Sequence, residues 1–322
     1  MDAIVEHSRQ LIEKGSKSFA GAARLFDEDT RASAYMLYAW CRHCDDEIDG
    51  QELGFPSTQV NGSSPEQRLA GLTQRTLAAI NGQPLLGPDQ PVFEALARVV
   101  AKHKIPERHP LELLEGFRMD VAERRYETLD DTLSYCYHVA GVVGVMMTMI
   151  MGVRERETLN RASDLGIAFQ LTNIARDVIA DAAAGRVYLP RQWLAEAGVP
   201  ADEVAKLEHR EAVFRVVERL LDEADRYYRS ARYGLPQLPL RAAWAIAAAR
   251  RIYRKIGFVV RRRGSHAWDT RASVSKRGKM AQAALGGLSI GRARASKAVK
   301  AAPPRDGLWT MPGLGQVGSV SV

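Results

Sequence analysis

The chain has 322 residues, of which 46% are hydrophobic, and this suffices for one large core or two ordinary ones. Its three cysteines are an odd number, which argues against a disulfide framework and favours a reducing cytoplasm. The opening segment 1–7 is acidic and has no apolar stretch, so we expect no secretory signal.

The net charge of +7 is concentrated near the C-terminus, where residues 261–322 carry 12 Lys and Arg against 2 Asp and Glu. A basic tail suits an anionic membrane surface, although a solvated tail would have the same composition. The tail lacks the interleaved aromatic side chains of single-strand nucleic-acid binders. We therefore expect a cytoplasmic protein with peripheral membrane contact and no nucleic-acid partner.

Helical periodicity runs through almost the whole chain. The first strong helix is predicted at Ala34–Ile48, and the polar stretch 50–66, rich in Ser, Gly and Pro, predicts a long loop. No segment shows the sustained alternation that is typical of strands. The sequence predicts one all-α domain over residues 1–262 and a basic, partly disordered extension over 263–322. Further helices are predicted at 92–101, 111–122, 131–152, 160–183, 207–232 and 240–260.

Residues 139–153 form the longest uncharged apolar run. The run is shorter than the roughly 20 residues that a membrane-spanning helix needs, so we expect a buried core helix. Gly141 and Gly144 weaken this helix by roughly 1 kcal/mol each relative to alanine. Such glycines are tolerated where something packs closely, either a neighbouring helix or a hydrocarbon ligand in an apolar cavity.

Two acid clusters at helical spacing carry the strongest functional signal. Residues four apart share one face of a helix, so Asp45 and Asp49 point together. In the second cluster Asn173, Asp177 and Asp181 form one oxygen-rich stripe. Like charges at this spacing cost a helix a few tenths of a kcal/mol per pair, a cost that a bound cation offsets. Carboxylate and amide oxygens together with substrate phosphates are the ligands of Mg²⁺, so the clusters predict a clamp for a metal-bound diphosphate.

Each of these motifs can also be explained without a functional role. A single pair of acids four apart is usually a solvated helix face, and two pairs in apolar helices make that interpretation weaker. Cys41 and Cys44 have the CxxC spacing of zinc and redox sites, but no second pair exists and both fall inside a helix. The GxGxxG match at 313–318 follows no strand and opens no helix, so we treat it as chance.

Phosphate donors and aromatic side chains surround the acids. Arg42 lies one turn before Asp45, Arg176 precedes Asp177, and Arg186 follows the second acid helix. The planar guanidinium fork of arginine suits phosphate. Aromatic faces can stabilise a carbocation, and a dry cavity protects it from water. The pattern indicates metal-assisted ionisation of an allylic prenyl diphosphate. The remaining candidates are the donor Ser16 with its neighbours Lys17 and Ser18, and the aromatics Phe19, Tyr135 and Tyr253.

Five motifs between about residues 16 and 258 resemble the squalene/phytoene synthase family, which joins prenyl diphosphates head to head. The motifs are Ser16–Phe19, Tyr38–Asp49, Tyr135–Gly144, Gln170–Asp181 and Gly185–Pro190. The stretch 231–253 is most similar to the branch that condenses two geranylgeranyl diphosphates. The resemblance implies an all-α isoprenoid-synthase fold, a helical bundle around a central apolar cavity. It also implies condensation through a cyclopropyl intermediate, prephytoene diphosphate, as the first step of carotenoid biosynthesis.

The resemblance also implies a role for each site residue. Mg²⁺ or Mn²⁺ would be held by Asp45, Asp49, Asn173, Asp177 and Asp181. Diphosphate would be contacted by Arg42, Arg176, Arg186, Tyr188 and Tyr253, and Tyr135 would lie near the developing cation. The other substrate-binding residues would be Ser16, Phe19, Tyr38 and Gln170. No nicotinamide is needed for this reaction.

Other functions are also compatible with the sequence. A sister enzyme would make squalene or dehydrosqualene from farnesyl diphosphate, and pocket depth decides between the two chain lengths. Head-to-tail prenyl elongases and terpene cyclases also use acid-rich helices. A helical scaffold without activity would have lost one acid motif, whereas both are intact here.

Overall fold

The computed structural model describes residues 2–52, 55–56, 62–295 and 302–310. Within these ranges the chain forms thirteen α-helices and one pair of two-residue antiparallel strands, β1 (Gln51–Glu52) and β2 (Phe55–Pro56). Every helix predicted from the sequence is present, and the all-α fold is confirmed. The helices are α1 (Ala3–Gly15), α2 (Lys17–Ala23), α3 (Glu28–Asp49), α4 (Pro65–Ile80), α5 (Gln90–His103), α6 (Arg108–Val121), α7 (Leu129–Cys136), α8 (Val142–Ile150), α9 (Arg156–Ala183), α10 (Arg191–Glu196), α11 (Arg210–Ala231), α12 (Leu240–Arg263) and α13 (Lys276–Ala295).

Helix α3 begins and ends at strong capping residues, and these place the first acid cluster. The side chain of Asp27 accepts a hydrogen bond from the Thr30 N–H at the start of the helix. Gly50 ends it with a φ of 63°, a left-handed conformation that glycine adopts without a side-chain clash. The first acid cluster therefore occupies the last turn of a 22-residue helix whose other face is buried.

Helix α9 has 28 residues and runs through the middle of the bundle, with α8, α11 and α12 packed around it. Two glycines allow the close approach to the α7–α8 segment. A Cβ at Gly166 would lie 2.2 Å from the Ala140 carbonyl oxygen, and one at Gly144 would lie 2.5 Å from that of Ala162. A close helix contact therefore explains the mid-helix glycines, and Gly144 lines the central cavity as well.

The apolar run predicted as a core helix lies in the interior. Residues Leu129–Ile150 form one continuous helical segment with a single π-helical turn at Tyr137–Gly141. The segment is long and apolar enough to cross a membrane, yet it is mostly buried inside the bundle. Its apolar composition serves the protein core, as expected.

The described chain beyond residue 262 includes helix α13 and the packed segment 302–310. Helix α13 packs along α12, where a Cβ at Gly286 would lie 3.0 Å from the backbone nitrogen of Ala248. Residues 302–310, which we call the C-terminal strap, lie against α9 and α11 through hydrogen bonds and a buried ion pair. Packing therefore continues past the boundary predicted at residue 262. The boundary was placed by a shift in charge, whereas small residues in α13 provide the packing surface.

Candidate active site

A cavity of about 720 Å³ lies at the centre of the bundle. One end carries charged and polar side chains, among them Arg42, Asp45, Asp120, Asn173 and Arg176. The remaining walls are mostly apolar, so the site joins a polar end to a hydrocarbon-compatible interior. Those walls include Phe19, Leu37, Phe117, Val139, Val143, Met147, Leu165, Phe169, Ile246, Ile252 and Ile256.

The first acid cluster is held by two arginines. Arg42 lies 3.0 Å from Asp45 and 2.5 Å from Asp46, so one guanidinium joins neighbouring acids on α3. One turn further along, Asp49 pairs with Arg186, whose Nη2 atom lies 2.6 Å from Oδ1. Because Arg186 follows α9 in the chain, this ion pair joins the ends of the two acid helices.

The second acid cluster lies on α9. Asp177 accepts hydrogen bonds from Arg176 at 2.9 Å and from Arg271 at 3.2 Å. Asn173, one turn earlier, donates to Gln170 at 3.2 Å. Its buried Oδ1 atom has no hydrogen-bond partner among the described residues. An acceptor of this kind within a row of carboxylates is suited to a cation.

The acids have different proton affinities. Burial raises the pKa of Asp45 to about 6, against the opposing charge of Arg42. Burial and then the charge of Asp177 raise the pKa of Asp181 to about 7. Burial also raises the pKa of Asp177, but Arg176 and Arg271 outweigh it and leave that pKa below its ordinary value. Carboxyls with raised pKa values near a charged neighbour are typical of functional sites.

One further acid at this end of the cavity, outside the two clusters, was missed by the sequence analysis. Asp120, on α6, accepts hydrogen bonds from Tyr135 at 3.1 Å and from Tyr188 at 3.0 Å. Burial raises the pKa of Asp120 to about 6, and its charge in turn contributes to the raised pKa of Asp45 and Asp181. Asp120 lines the same cavity as Asp45 on α3 and Asn173 on α9.

The tyrosines around Asp120 form a compact aromatic wall. The rings of Tyr135 and Tyr188 are stacked with centroids 4.6 Å apart, and Tyr126 packs against both. Thr132 fixes the backbone beside this cluster, because its hydroxyl donates to the Tyr188 carbonyl at 2.9 Å. The packing of this wall holds the Tyr135 and Tyr188 hydroxyls in hydrogen bonds to the Asp120 carboxylate.

The other predicted residues lie along the cavity wall. Ser16 caps α2, where its hydroxyl accepts from the Phe19 N–H at 3.3 Å, and the Phe19 ring stacks on Tyr38. Tyr253 stacks on Phe169 with ring centroids 4.3 Å apart. All of these and Gln170 line the cavity. The side chains of Lys17 and Ser18 and the GxGxxG match at 313–318 lie outside what the structure describes.

Cys41 and Cys44 lie on neighbouring turns of α3, and Cys41 lines the cavity. Burial raises the pKa of Cys41 to about 12 and that of Cys44 well above its ordinary value. The thiolate that metal binding or redox chemistry requires is therefore disfavoured at both positions.

The predicted metal ligands fit ions that are shared with a substrate. Among the described residues, the groups of three with all ligand atoms within 4.8 Å are His43–Glu47–Asp89 and Glu203–Glu208–His209. Arg75 already pairs with Glu47 and Asp89 in the first group. The predicted ligands are instead spread along α3 and α9. Oxygen ligands that are spread in this way suit a hard divalent ion that takes part of its shell from phosphate oxygens.

Arg271 was also missed by the sequence analysis, because it follows the predicted domain boundary. It pairs with Asp177 and lines the cavity, and the neighbouring Ala272 and Val274 line it too. A lone arginine in a basic tail gives no local signal of this role. Asp120 gave none either, since no second acid lies four residues from it in the helix.

Comparison with known proteins places the chain among enzymes. The squalene/phytoene synthase family model matches residues 12–278. The 15-cis-phytoene synthase of Enterobacter agglomerans is 52% identical over 301 residues, which are 94% of this chain and 100% of that protein. The enzyme of the same name from a Paracoccus strain is 50% identical over 97% of this chain and 99% of its own.

The fold is similar to solved structures of the same family. A crystal structure of a dehydrosqualene synthase superposes with a TM-score of 0.78 at 28% identity, covering 90% of this chain and 97% of the other. A squalene synthase from Alicyclobacillus acidocaldarius superposes with a TM-score of 0.70 at 25% identity, covering 81% and 94%.

Proposed function

Because this chain belongs to the squalene/phytoene synthase family, we propose that it is a prenyl transferase that joins two geranylgeranyl diphosphates head to head to make phytoene. The reaction would pass through prephytoene diphosphate, release both diphosphates and begin carotenoid biosynthesis. The observation that carries the proposal is the joining of two acid helices to the polar end of one apolar cavity. Relatives near 50% identity that are named phytoene synthases support this branch.

The arginines of the site are placed to bind the diphosphate groups. Arg42, Arg186 and Arg271 each pair with an acid of one cluster, at distances between 2.6 and 3.2 Å. Their guanidinium forks can move from a carboxylate to a phosphate oxygen without leaving the polar end. A divalent ion, Mg²⁺ or Mn²⁺, would neutralise the departing diphosphate when bound to the acids.

The apolar walls would protect the allylic cation. Loss of diphosphate leaves an electron-poor carbon that water would trap, and an apolar enclosure excludes water. The aromatic rings of Phe19, Phe169 and Tyr253 line the same cavity and offer cation–π stabilisation. Asp120 lies at the polar end of the cavity and accepts hydrogen bonds from Tyr135 and Tyr188. This group is placed to hold or move a proton near the leaving group.

We further propose that the protein works in the cytoplasm at an anionic membrane surface, through the face of α13 turned away from α12. Met280, Leu285 and Leu288 are exposed there at 73%, 42% and 58%. Arg277 and Arg292 are exposed near the two ends of the helix, and α12 and α13 contain no acidic residue. Apolar side chains between basic ends are typical of interfacial helices. A hydrocarbon product would also partition favourably from the protein into the adjacent bilayer.

A second candidate is condensation of farnesyl diphosphate to dehydrosqualene or squalene. The structural similarity to a dehydrosqualene synthase favours it, since the two folds superpose over most of both chains. The higher sequence identity to phytoene synthases favours the longer substrate.

Product analysis tests the proposal. Purified protein would receive geranylgeranyl or farnesyl diphosphate with Mg²⁺, detergent and no nicotinamide, and products would be identified by chromatography and mass spectrometry. We expect phytoene from geranylgeranyl diphosphate. A product from farnesyl diphosphate alone would move the protein to the sister branch. No hydrocarbon from either substrate, with the protein folded, would refute the assignment as an enzyme of this reaction.

A further inference from the structure

We propose that the C-terminal strap sets the longest hydrocarbon that the cavity accepts, because it holds Arg161 in place as the end wall. The inference rests on the proposed function in that the hydrocarbon is taken to be a prenyl chain. The strap, residues 302–310, lies beyond residue 278, where the match to the family model ends. The contacts between strap, Arg161 and α11 carry the argument.

Arg161 lies at the end of the cavity opposite the acids. It lines the cavity together with Thr158 and Leu165, its neighbours on α9. Asp177 follows it in the same helix by 16 residues, or roughly 24 Å at 1.5 Å per residue. A prenyl chain with its diphosphate at the acids and its tail along α9 would therefore end at Arg161.

Arg161 is buried and held from three sides. Its side chain donates to Glu157 at 2.7 Å, to the Ser230 hydroxyl at 2.6 Å and to the backbone carbonyl of Pro303 in the strap. Arg161 is only 2% exposed, and a Cβ at Gly234 would lie 2.8 Å from its Cβ. Glu157 is largely exposed, so Ser230 and Pro303 provide the rigid part of this support.

The strap is itself anchored by a buried ion pair. Arg305 donates to both oxygens of Asp164, at 2.9 and 2.6 Å, and Asp164 is fully buried. Ser230 also donates to Asp164, so the hydroxyl that supports Arg161 belongs to the same network. Removing one partner of a buried pair leaves an uncompensated charge, which is strongly destabilising. Loss of Arg305 would therefore loosen both Pro303 and Ser230 around Arg161.

Aromatic contacts fix the other half of the strap. The Trp309 N–H donates to the Tyr227 hydroxyl at 2.9 Å, and its ring packs against Tyr137 with centroids 5.4 Å apart. Arg226 also donates to the Gly307 carbonyl at 2.9 Å. The strap is thus tied to α11 and to the π-helical turn, and a change at Arg305 would act on the end wall while these contacts remain.

The test is the ratio of turnover between prenyl diphosphates of 15, 20 and 25 carbons. Wild-type protein would be compared with Arg305→Ala and Arg161→Ala, with kcat/KM measured for each substrate in Mg²⁺ and detergent. We expect the ratio of 25-carbon to 20-carbon substrate to rise about tenfold, the scale on which a pocket discriminates small changes in hydrocarbon length. The ratio of 15-carbon to 20-carbon substrate should stay the same, because the shorter chain ends before the wall.

A matched control separates the end wall from general destabilisation. Arg219→Ala removes an arginine from α11, the helix to which the strap is tied, where Arg219 pairs with Glu196 and stacks on Trp193 away from the cavity. It should leave both ratios unchanged. If Arg305→Ala does not fold, the paired change Asp164→Asn with Arg305→Gln removes both charges and keeps a polar side chain at each position.

The outcomes keep this inference apart from the proposed function. Unchanged ratios in folded, active strap variants would overturn the strap inference and leave the function intact. If wild-type protein makes no hydrocarbon, the proposed function fails. The shift in Tm that the 20- and 25-carbon diphosphates each cause would then compare the binding of the two chain lengths without turnover. If the difference between the shifts caused by the two ligands is the same in wild type and in Arg305→Ala, the role of the strap is overturned.

Discussion

Arg186 reaches from the turn after α9 to Asp49 at the end of α3, and its Nη2 atom lies 2.6 Å from the Asp49 Oδ1 atom. The two residues are 137 positions apart in the chain. Arg271 makes the equivalent contact to Asp177 on the other acid helix. Each acid helix is therefore paired with an arginine from another part of the chain, so that acids for a cation and donors for a diphosphate already share one polar end.

Replacing one acid of either cluster should nearly abolish turnover. We expect Asp45→Asn and Asp177→Asn each to lower kcat about a hundredfold or more, because each removes charge that would stabilise the departing diphosphate. Steady-state kinetics with geranylgeranyl diphosphate would measure the loss, and circular dichroism would show whether the helices are retained. Asp29→Asn, at the exposed start of the same helix α3, is the control. Near-normal turnover in either site variant would remove that acid from the site.

Asp120 should matter as much as the acids that the sequence identified. Asp120→Asn removes the carboxylate that accepts from Tyr135 and Tyr188, and we expect turnover to fall about a hundredfold, the usual scale for a positioned proton-transfer group. Tyr188→Phe should give a smaller loss, because one hydroxyl remains on Asp120. Glu115→Gln lies on the same helix α6 and pairs with Arg118 on the surface, so it should have no effect. Equal activity of Asp120→Asn and Glu115→Gln would contradict this role.

The raised acid pKa values predict how stability depends on pH. The folded protein holds protons on Asp45 and Asp120 up to about pH 6 and on Asp181 up to about pH 7, whereas ordinary carboxyls lose them near pH 4. Stability from these protonated acids is present at low pH and is lost as the pH rises through the folded pKa values. We therefore expect the Tm of metal-free protein to fall between about pH 4 and pH 7.

Asp181→Asn isolates this effect from the other titrating groups. Its Tm should fall less than that of wild type across the same pH range, since the amide does not ionise. Calorimetry at several pH values measures both curves. Mg²⁺ requires ionised carboxylates, so its stabilising effect on wild type should grow over the same range. Parallel curves for wild type and Asp181→Asn would show that the pKa of Asp181 is not raised.

The proposed membrane face predicts a selective loss of vesicle binding. Changing Met280, Leu285 and Leu288 together to serine should weaken binding to vesicles rich in anionic lipid about tenfold or more, since each apolar side chain loses its burial in the bilayer. Binding should also weaken with added salt, because the basic ends of α13 contribute through charge. Flotation with anionic and neutral vesicles would measure both effects.

A matched pair of changes on another surface controls for lost hydrophobicity. Leu86 and Leu207 are exposed at 85% and 76% and lie outside α12 and α13. Serine at both positions should leave vesicle binding unchanged. If the α13 variant binds like wild type, the membrane face lies elsewhere or does not exist. Turnover in detergent should be retained in both variants, because none of the five side chains lines the cavity.

Helical periodicity made most of the site predictable from the sequence. Whether Asp45 and Asp49 share a face depends only on the 3.6-residue turn of a helix, and the same holds for Asn173, Asp177 and Asp181. The arginines next to these acids were predicted for the same local reason. The apolar segment 139–153 was likewise predicted as core from its length and composition.

Contacts between distant segments were decided by the tertiary structure alone. Asp120 becomes part of the site because α6 packs beside the segment that carries Tyr135, and Arg271 because the chain after α12 returns to the end of α9. The strap and its pair Arg305–Asp164 join residues 141 positions apart. The sequence by itself determined which faces of single helices carry acids, arginines or apolar side chains. Which of these faces meet was determined only by packing, because it depends on the fit of whole helices and not on the spacing within one.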